Sequence, residues 1–166
     1  MEHLTDVLNR LRNRHITLMQ RTLKTLDHIV RATSHEDMTT WRDGGEGGWT
    51  ALEVLCHVRD FSAIFHERAL SVIEQDNPAF IRRDHLQMVI DKKYNEQDPI
   101  AVLEALATSR ASLVAFYEAL TPEQLARTGI HAEYGLQTLY DLIQQVGHHD
   151  TDHIEQLTRI LLLKQQ

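Results

Sequence analysis

The chain has 166 residues, 42% of them hydrophobic, enough to bury one core and too few for two full domains. Its 17 Lys and Arg against 24 Asp and Glu leave a formal charge of −7 with no basic run or basic–aromatic patch, so no nucleic-acid partner is expected. Apolar runs of only a handful of residues predict no membrane span, the N-terminal MEHLTDVLNR does not read as a signal peptide, and the lone thiol of Cys56 fits a reducing, cytoplasmic compartment.

Three prolines and seven glycines punctuate the chain, and the long segments between them carry helical rather than strand-like periodicity. The first helix is predicted from about Leu4 to Ala32, with Leu4, Leu8, Leu11, Leu18, Leu26 and Ile29 on one stripe. Thr33 to Gly48, with Gly44, Gly45, Gly47 and Gly48, reads as a loop. Thr50 is placed to cap a second helix, Glu53 to complete a capping box and Trp49 to staple onto Val54. That helix should run to about Gln75, before Asn77-Pro78. A short helix is expected around His85 to Ile90, and Asp98-Pro99 opens a third long helix reaching about Leu120. Thr121-Pro122-Glu123-Gln124 starts a helical turn, and the last long helix begins near Gln137 or Thr138 and runs almost to the C-terminus. Four long amphipathic helices with moderate connections predict an all-α, antiparallel-type four-helix bundle in one domain, residues 1–166.

Eleven histidines are a surplus for this length, and their placement matters more than their number. In the last helix Leu139, Leu142, Val146, His149, His153, Gln156 and Ile160 form one stripe, so two imidazoles stand in an apolar row one turn apart. Burying both rings costs free energy unless both are satisfied, and one shared metal ion satisfies them together. His148 and Asp152, also four apart, fall in line with Gln145 and Glu155 and read as the solvated face, with His148 as an alternative ligand the lesser reading. Two imidazoles alone hold a divalent ion weakly, whereas a third leaves one position open for water or substrate. His57, on an edge with Glu53, Asp60 and Ile64 beside the stripe of Leu55, Val58 and Phe65, is the best third donor. Taken without the pair on the last helix, it would read as a hydrogen-bonded boundary histidine.

The stretch from Trp49 and Thr50 to His57 and Asp60 resembles the tryptophan, Ser/Thr helix start and H-x-x-D of the DinB-like superfamily. His149, His153 and Gln156 are similar to its C-terminal H-x-x-x-H-x-x-Q, and the resemblance spans essentially the whole chain. It implies a four-helix bundle of the DinB-like type, a metal site made by His57, His149 and His153, zinc or nickel as the ion, and a homodimer. Asp60 and Gln156 match family positions without an implied ligand role. Relatives include S-transferases that use low-molecular-weight thiols such as bacillithiol or mycothiol, and a mycothiol-dependent isomerase. The resemblance therefore implies a transferase in which the metal activates a small-molecule thiol for attack on an electrophile.

Several residues carry two readings. Asp60 either bonds a ligand imidazole or pairs with an arginine such as Arg59. Glu53 is read as a capping residue ahead of a catalytic base, and His15, between Leu11 and Leu18, as a core histidine ahead of a fourth ligand or pocket residue. Cys56 is a buried small hydrophobe, and Trp41 and Tyr134 could border a pocket. A hydrolase is the alternative function, because His149 to His153 has the histidine spacing of H-E-x-x-H with Asp150 in the place of the base glutamate. A non-catalytic metal-binding protein is the other alternative. Ferritin-like di-iron chemistry is excluded, since it needs Glu-x-x-His motifs and the sequence has none.

Overall fold

Local capping chemistry sets most of the helix boundaries in the computed structural model, which describes residues 2–45 and 47–165. Helix α1 spans Glu2–Arg31. α3 (Ala51–Glu74) opens on a capping box, with Thr50 Oγ1 accepting the Glu53 N–H at 3.2 Å and the Glu53 carboxylate accepting the Thr50 N–H at 2.8 Å. Asp84 caps α4 (His85–Asp91), which leads through a 3-10 turn at Tyr94–Glu96 to α5 (Pro99–Ala119), capped by Asp98 with Pro99 in its first turn. Thr121 and Gln124 box the short α6 (Pro122–Leu125), and Thr138 and Asp141 do the same for α7 (Leu139–Leu162).

Among the departures from the sequence expectation are two elements. The segment predicted as a loop contains α2 (His35–Thr40), a helix of one and a half turns capped by Ser34 and held by the fully buried Met38. A β-hairpin, β1 (Thr128–His131) with β2 (Gly135–Thr138), precedes α7 and is tied to the rest of the fold by a bridge between Ala79 and Ile130. Four-residue strands carry too little alternation to stand out in sequence, and this pair exists because α3, Phe80 and α7 pack around it.

α1 and α3 each pack against both α5 and α7, so the bundle runs α1–α5–α3–α7 around its axis and sequence neighbours α1 and α3 lie across a diagonal. One apolar cluster, with Met19, Phe65, Leu113, Tyr117, Leu142 and Val146, fills one part of the interior. Another, with Leu26, Leu52, Leu55, Leu106, Leu157 and Ile160, fills the rest. The buried face of α1 is Ile16, Met19, Leu26 and Val30 with Thr22 among them, whereas Leu4 and Leu11 of the predicted stripe are exposed. α5 is long and apolar enough to cross a bilayer by length and composition, contrary to the sequence expectation. In the bundle its apolar character serves packing: Leu103, Leu106, Leu113 and Tyr117 are buried, and Arg110 lies among them in an internal ion pair.

Candidate metal centre

α3 and α7 are neighbours in the bundle, and where they face one another His57, His149 and His153 each bring a ring nitrogen to within 4.8 Å of the other two. The Nε2 atoms of His57 and His149 are 3.0 Å apart. Ligand nitrogens around a tetrahedral zinc stand about 3.3 Å from one another, so the trio needs only small side-chain adjustments to surround one ion. His57 is buried against Trp49 and Phe61, with ring centroids 4.9 and 4.3 Å away, and Phe61 also stacks on His149 at 5.2 Å. This aromatic wall packs against the rings of His57 and His149.

The second nitrogen of His153 is occupied. Its Nδ1 lies 2.8 Å from Gln156 Oε1; with Nδ1–H donating there, the lone pair of Nε2 faces the other two rings. Gln156 in turn donates to Asp43 at 3.4 Å, and Asp43 pairs with Arg159. Asp43 begins the glycine-rich turn, where Gly44 and Gly45 have φ of +77° and +83°, conformations that favour glycine. The turn therefore has a place in the site, since it sets an acceptor beside Gln156. His57 Nδ1, by contrast, is buried with no partner among the described residues.

Burial, then the neighbouring imidazoles, pushes His57 down to about 2. Burial, then His153 and Arg110, pushes His149 down to about 3, and burial also holds His153 below its ordinary value. All three rings are thus neutral near pH 7, the form that donates a lone pair.

The other predicted residues fall elsewhere. Among the described residues Asp60 bonds no imidazole: it accepts from Arg59 at 2.9 Å, Lys92 at 2.8 Å and the Tyr94 hydroxyl at 2.5 Å, which is the arginine-pair reading. Glu53 is engaged by the cap and by Arg42 at 3.1 Å. His15 is half-buried and lies outside the trio, so among the described residues it is neither a core histidine nor a fourth donor. Cys56 is fully buried, with burial raising its thiol to about 12. Trp41 packs against the core and does not line the cleft beside the trio, whereas Tyr134, exposed and stacked on His131 at 4.6 Å, does line it, as one of its two readings had it. His148 and Asp152 are exposed, as their line on the helix implied.

Sequence reasoning missed the role of Asp150. Its carboxylate takes both arms of Arg110, at 2.5 and 3.0 Å, and the Thr22 hydroxyl at 2.5 Å, with both charged side chains 1% exposed. Arg110 also reaches the Met19 carbonyl at 3.1 Å and Ser62 at 3.4 Å, so all four long helices meet at this pair. The available signal was an arginine in the apolar row of Leu103, Leu106, Leu113 and Tyr117. Asp150, the residue at the base position of H-E-x-x-H, therefore faces Arg110.

A cleft of about 1420 Å³ opens beside the trio, with His149, Phe61 and His85 at the near end and Arg68, Phe80 and His131 among its other walls. His85, whose ring centre is 6.1 Å from that of His57, was not singled out from sequence.

A family model described as the DinB superfamily matches residues 18–157. The chain belongs to the DinB superfamily. Among solved structures similar to this DinB-superfamily protein is YfiT from Bacillus subtilis, described as a probable metal-dependent hydrolase with an unusual four-helix bundle topology. The two share 24% identity over 89% of this chain and 86% of that one, with a TM-score of 0.78. A mutant of a mycothiol-dependent maleylpyruvate isomerase is similar at TM-score 0.72, with 10% identity over 88% of this chain and 60% of that one. At these identities the likeness establishes the four-helix-bundle fold. No curated protein sequence matches the chain significantly.

Proposed function

We propose that this DinB-superfamily protein is a divalent-metal-dependent enzyme in which His57, His149 and His153 hold one ion, zinc or nickel, and a low-molecular-weight thiol such as bacillithiol or mycothiol is transferred to a small electrophile. The observation that carries this reading is a donor set of three neutral imidazoles with no carboxylate bonded to them among the described residues. A doubly charged ion held that way lowers the pKa of a thiol at its open position enough to supply a thiolate at neutral pH. The chain's own part is to keep the rings neutral and aimed: Gln156 fixes His153, Trp49 and Phe61 clamp His57, and Phe61 covers one face of His149. The cleft beside His149 is roomier than a typical small-molecule pocket, as a thiol and an electrophile bound together require.

Hydrolysis is the second reading, favoured by the description of YfiT. The arrangement supports it less, because Asp150 is engaged by Arg110 and Thr22 and so is no base for a water near the trio. Metal-loaded protein incubated with bacillithiol or mycothiol and a chlorinated aromatic electrophile should give the S-conjugate by mass spectrometry. Cleavage of an ester or peptide without any conjugate would put the hydrolase first. If neither product forms and metal removal only lowers the melting temperature, the ion is a cross-link between helices.

A further inference from the structure

Two of the residues that line the cleft each carry a buried polar atom with no partner among the described residues. Arg68 Nε is a donor without a partner among the described residues, and the side-chain amide oxygen of Gln137 is an acceptor without one. Both line the cleft and both flank Phe80. The Arg68 guanidinium carbon lies 5.5 Å from the Phe80 ring centre. Gln137 pairs in register with Gly129, where an added Cβ would come within 2.4 Å of that ring. Leaving a buried donor or acceptor unsatisfied is costly, so two such side chains lining one cleft point to a polar ligand beside them.

The charges around Arg68 sharpen this. Arg83, next along the wall, is spent on Glu67 through bonds of 2.7 and 2.8 Å. Arg82 lines the same cleft and makes no ion pair among the described residues. Of the acids in the cleft, Asp84 is used by the cap of α4, while Glu133 and Asp152 would oppose a multiply charged ligand. One guanidinium fork held on an aromatic face suits a single carboxylate.

The spacing along α3 then gives the ligand's length. His57, Phe61, Phe65 and Arg68 follow one another at intervals of four, four and three, one face of the helix, and Phe61, Phe65 and Arg68 line the cleft. Eleven residues rise about 16 Å, and an arginine leaning toward the helix N-terminus shortens the gap from the trio to its guanidinium to roughly 10–15 Å.

The geometry points to Arg68, assisted by Arg82, as the anchor for a carboxylate at the far end of an elongated ligand whose other end reaches the histidine trio, with Gln137 accepting a hydrogen bond from the ligand beside it. The identity of the near end as a thiol rests on the proposed function; the anchor does not.

Thiols of increasing length test it: mercaptoacetate, mercaptohexanoate and mercaptoundecanoate, each beside the alcohol of equal length. Calorimetric affinities are measured on metal-loaded and metal-free protein, and thiolate-to-metal absorption is followed separately on the nickel-loaded form. The expected result is a preference of about tenfold for the longest acid over its alcohol, weakened by salt, with no such preference for mercaptoacetate. Arg68→Gln should abolish the preference, Arg68→Lys should restore part of it, and Arg82→Gln should reduce it. Equal affinity of long acid and long alcohol in the parent protein would overturn the anchor, as would survival of the preference in an Arg68→Gln/Arg82→Gln protein. A missing thiolate band with the acid preference intact would sink the thiol reading and leave the anchor standing.

Discussion

His57 shows why burial and metal binding go together here. In the metal-free protein its ring is buried and its Nδ1 has no partner among the described residues, an arrangement that favours the neutral form. His57 and His149 have folded-state pKa values of about 2 and about 3 against 6.5 for an exposed histidine. Their pKa is therefore depressed on folding, so the unfolded chain binds more protons than the folded one from about pH 6.5 downward, and stability falls with the pH across that window. The loss is up to about 2 kcal/mol for each ring between pH 7.5 and pH 5. Urea unfolding of metal-free protein at those two values checks it. His57→Leu should flatten the dependence, and a slope unchanged by that substitution would contradict the account of the ring. Both histidines on α7 were legible in sequence because an imidazole in a leucine row is a local anomaly. The partner of His153 was less so, since Gln156 matched a family position but its bond depends on ring orientation.

At the scale of the element, the trio exists only if α3 and α7 keep their relative rotation and height. The Arg110–Asp150 pair is placed to fix this, because Asp150 follows His149 directly and its partners come from α1 and α5. Removing one member of a buried pair leaves the other uncompensated, so Asp150→Ala should cost about 3–5 kcal/mol in urea unfolding. Replacing Arg110 and Asp150 together by apolar residues of similar volume should cost far less. Helix starts were readable because caps are local: Thr50 with Glu53, Asp98 with Pro99, and Thr121 with Gln124 lie within four residues of one another. The ion pair was not, because its members are 40 residues apart and pairing across that distance leaves no local pattern. The same reason hid the hairpin, whose Gly129 is required by the approach of Phe80 from a distant segment. α2 was missed because six residues hold too little periodicity, and Met38 supplies its anchoring only through tertiary contact.

For the molecule as a whole, the helical class and the bundle followed from four amphipathic segments, but the order of helices around the axis did not. Nothing in the connections says that α1 and α3 lie across a diagonal, and that arrangement puts α3 beside α7. Two apolar clusters with polar groups buried among them give a rigid frame, and the cleft beside the trio is lined by the hairpin and the segment leading into α4.

The claim on which all of this turns is that three imidazoles from two helices share one ion. Protein purified, stripped with chelator, reloaded with zinc or nickel and desalted should carry one ion per chain by elemental analysis. His153→Ala, helical to the same extent by circular dichroism, should carry nearly none, because two imidazoles hold a divalent ion weakly. Full metal content in that variant, or none in the parent protein, would contradict the account.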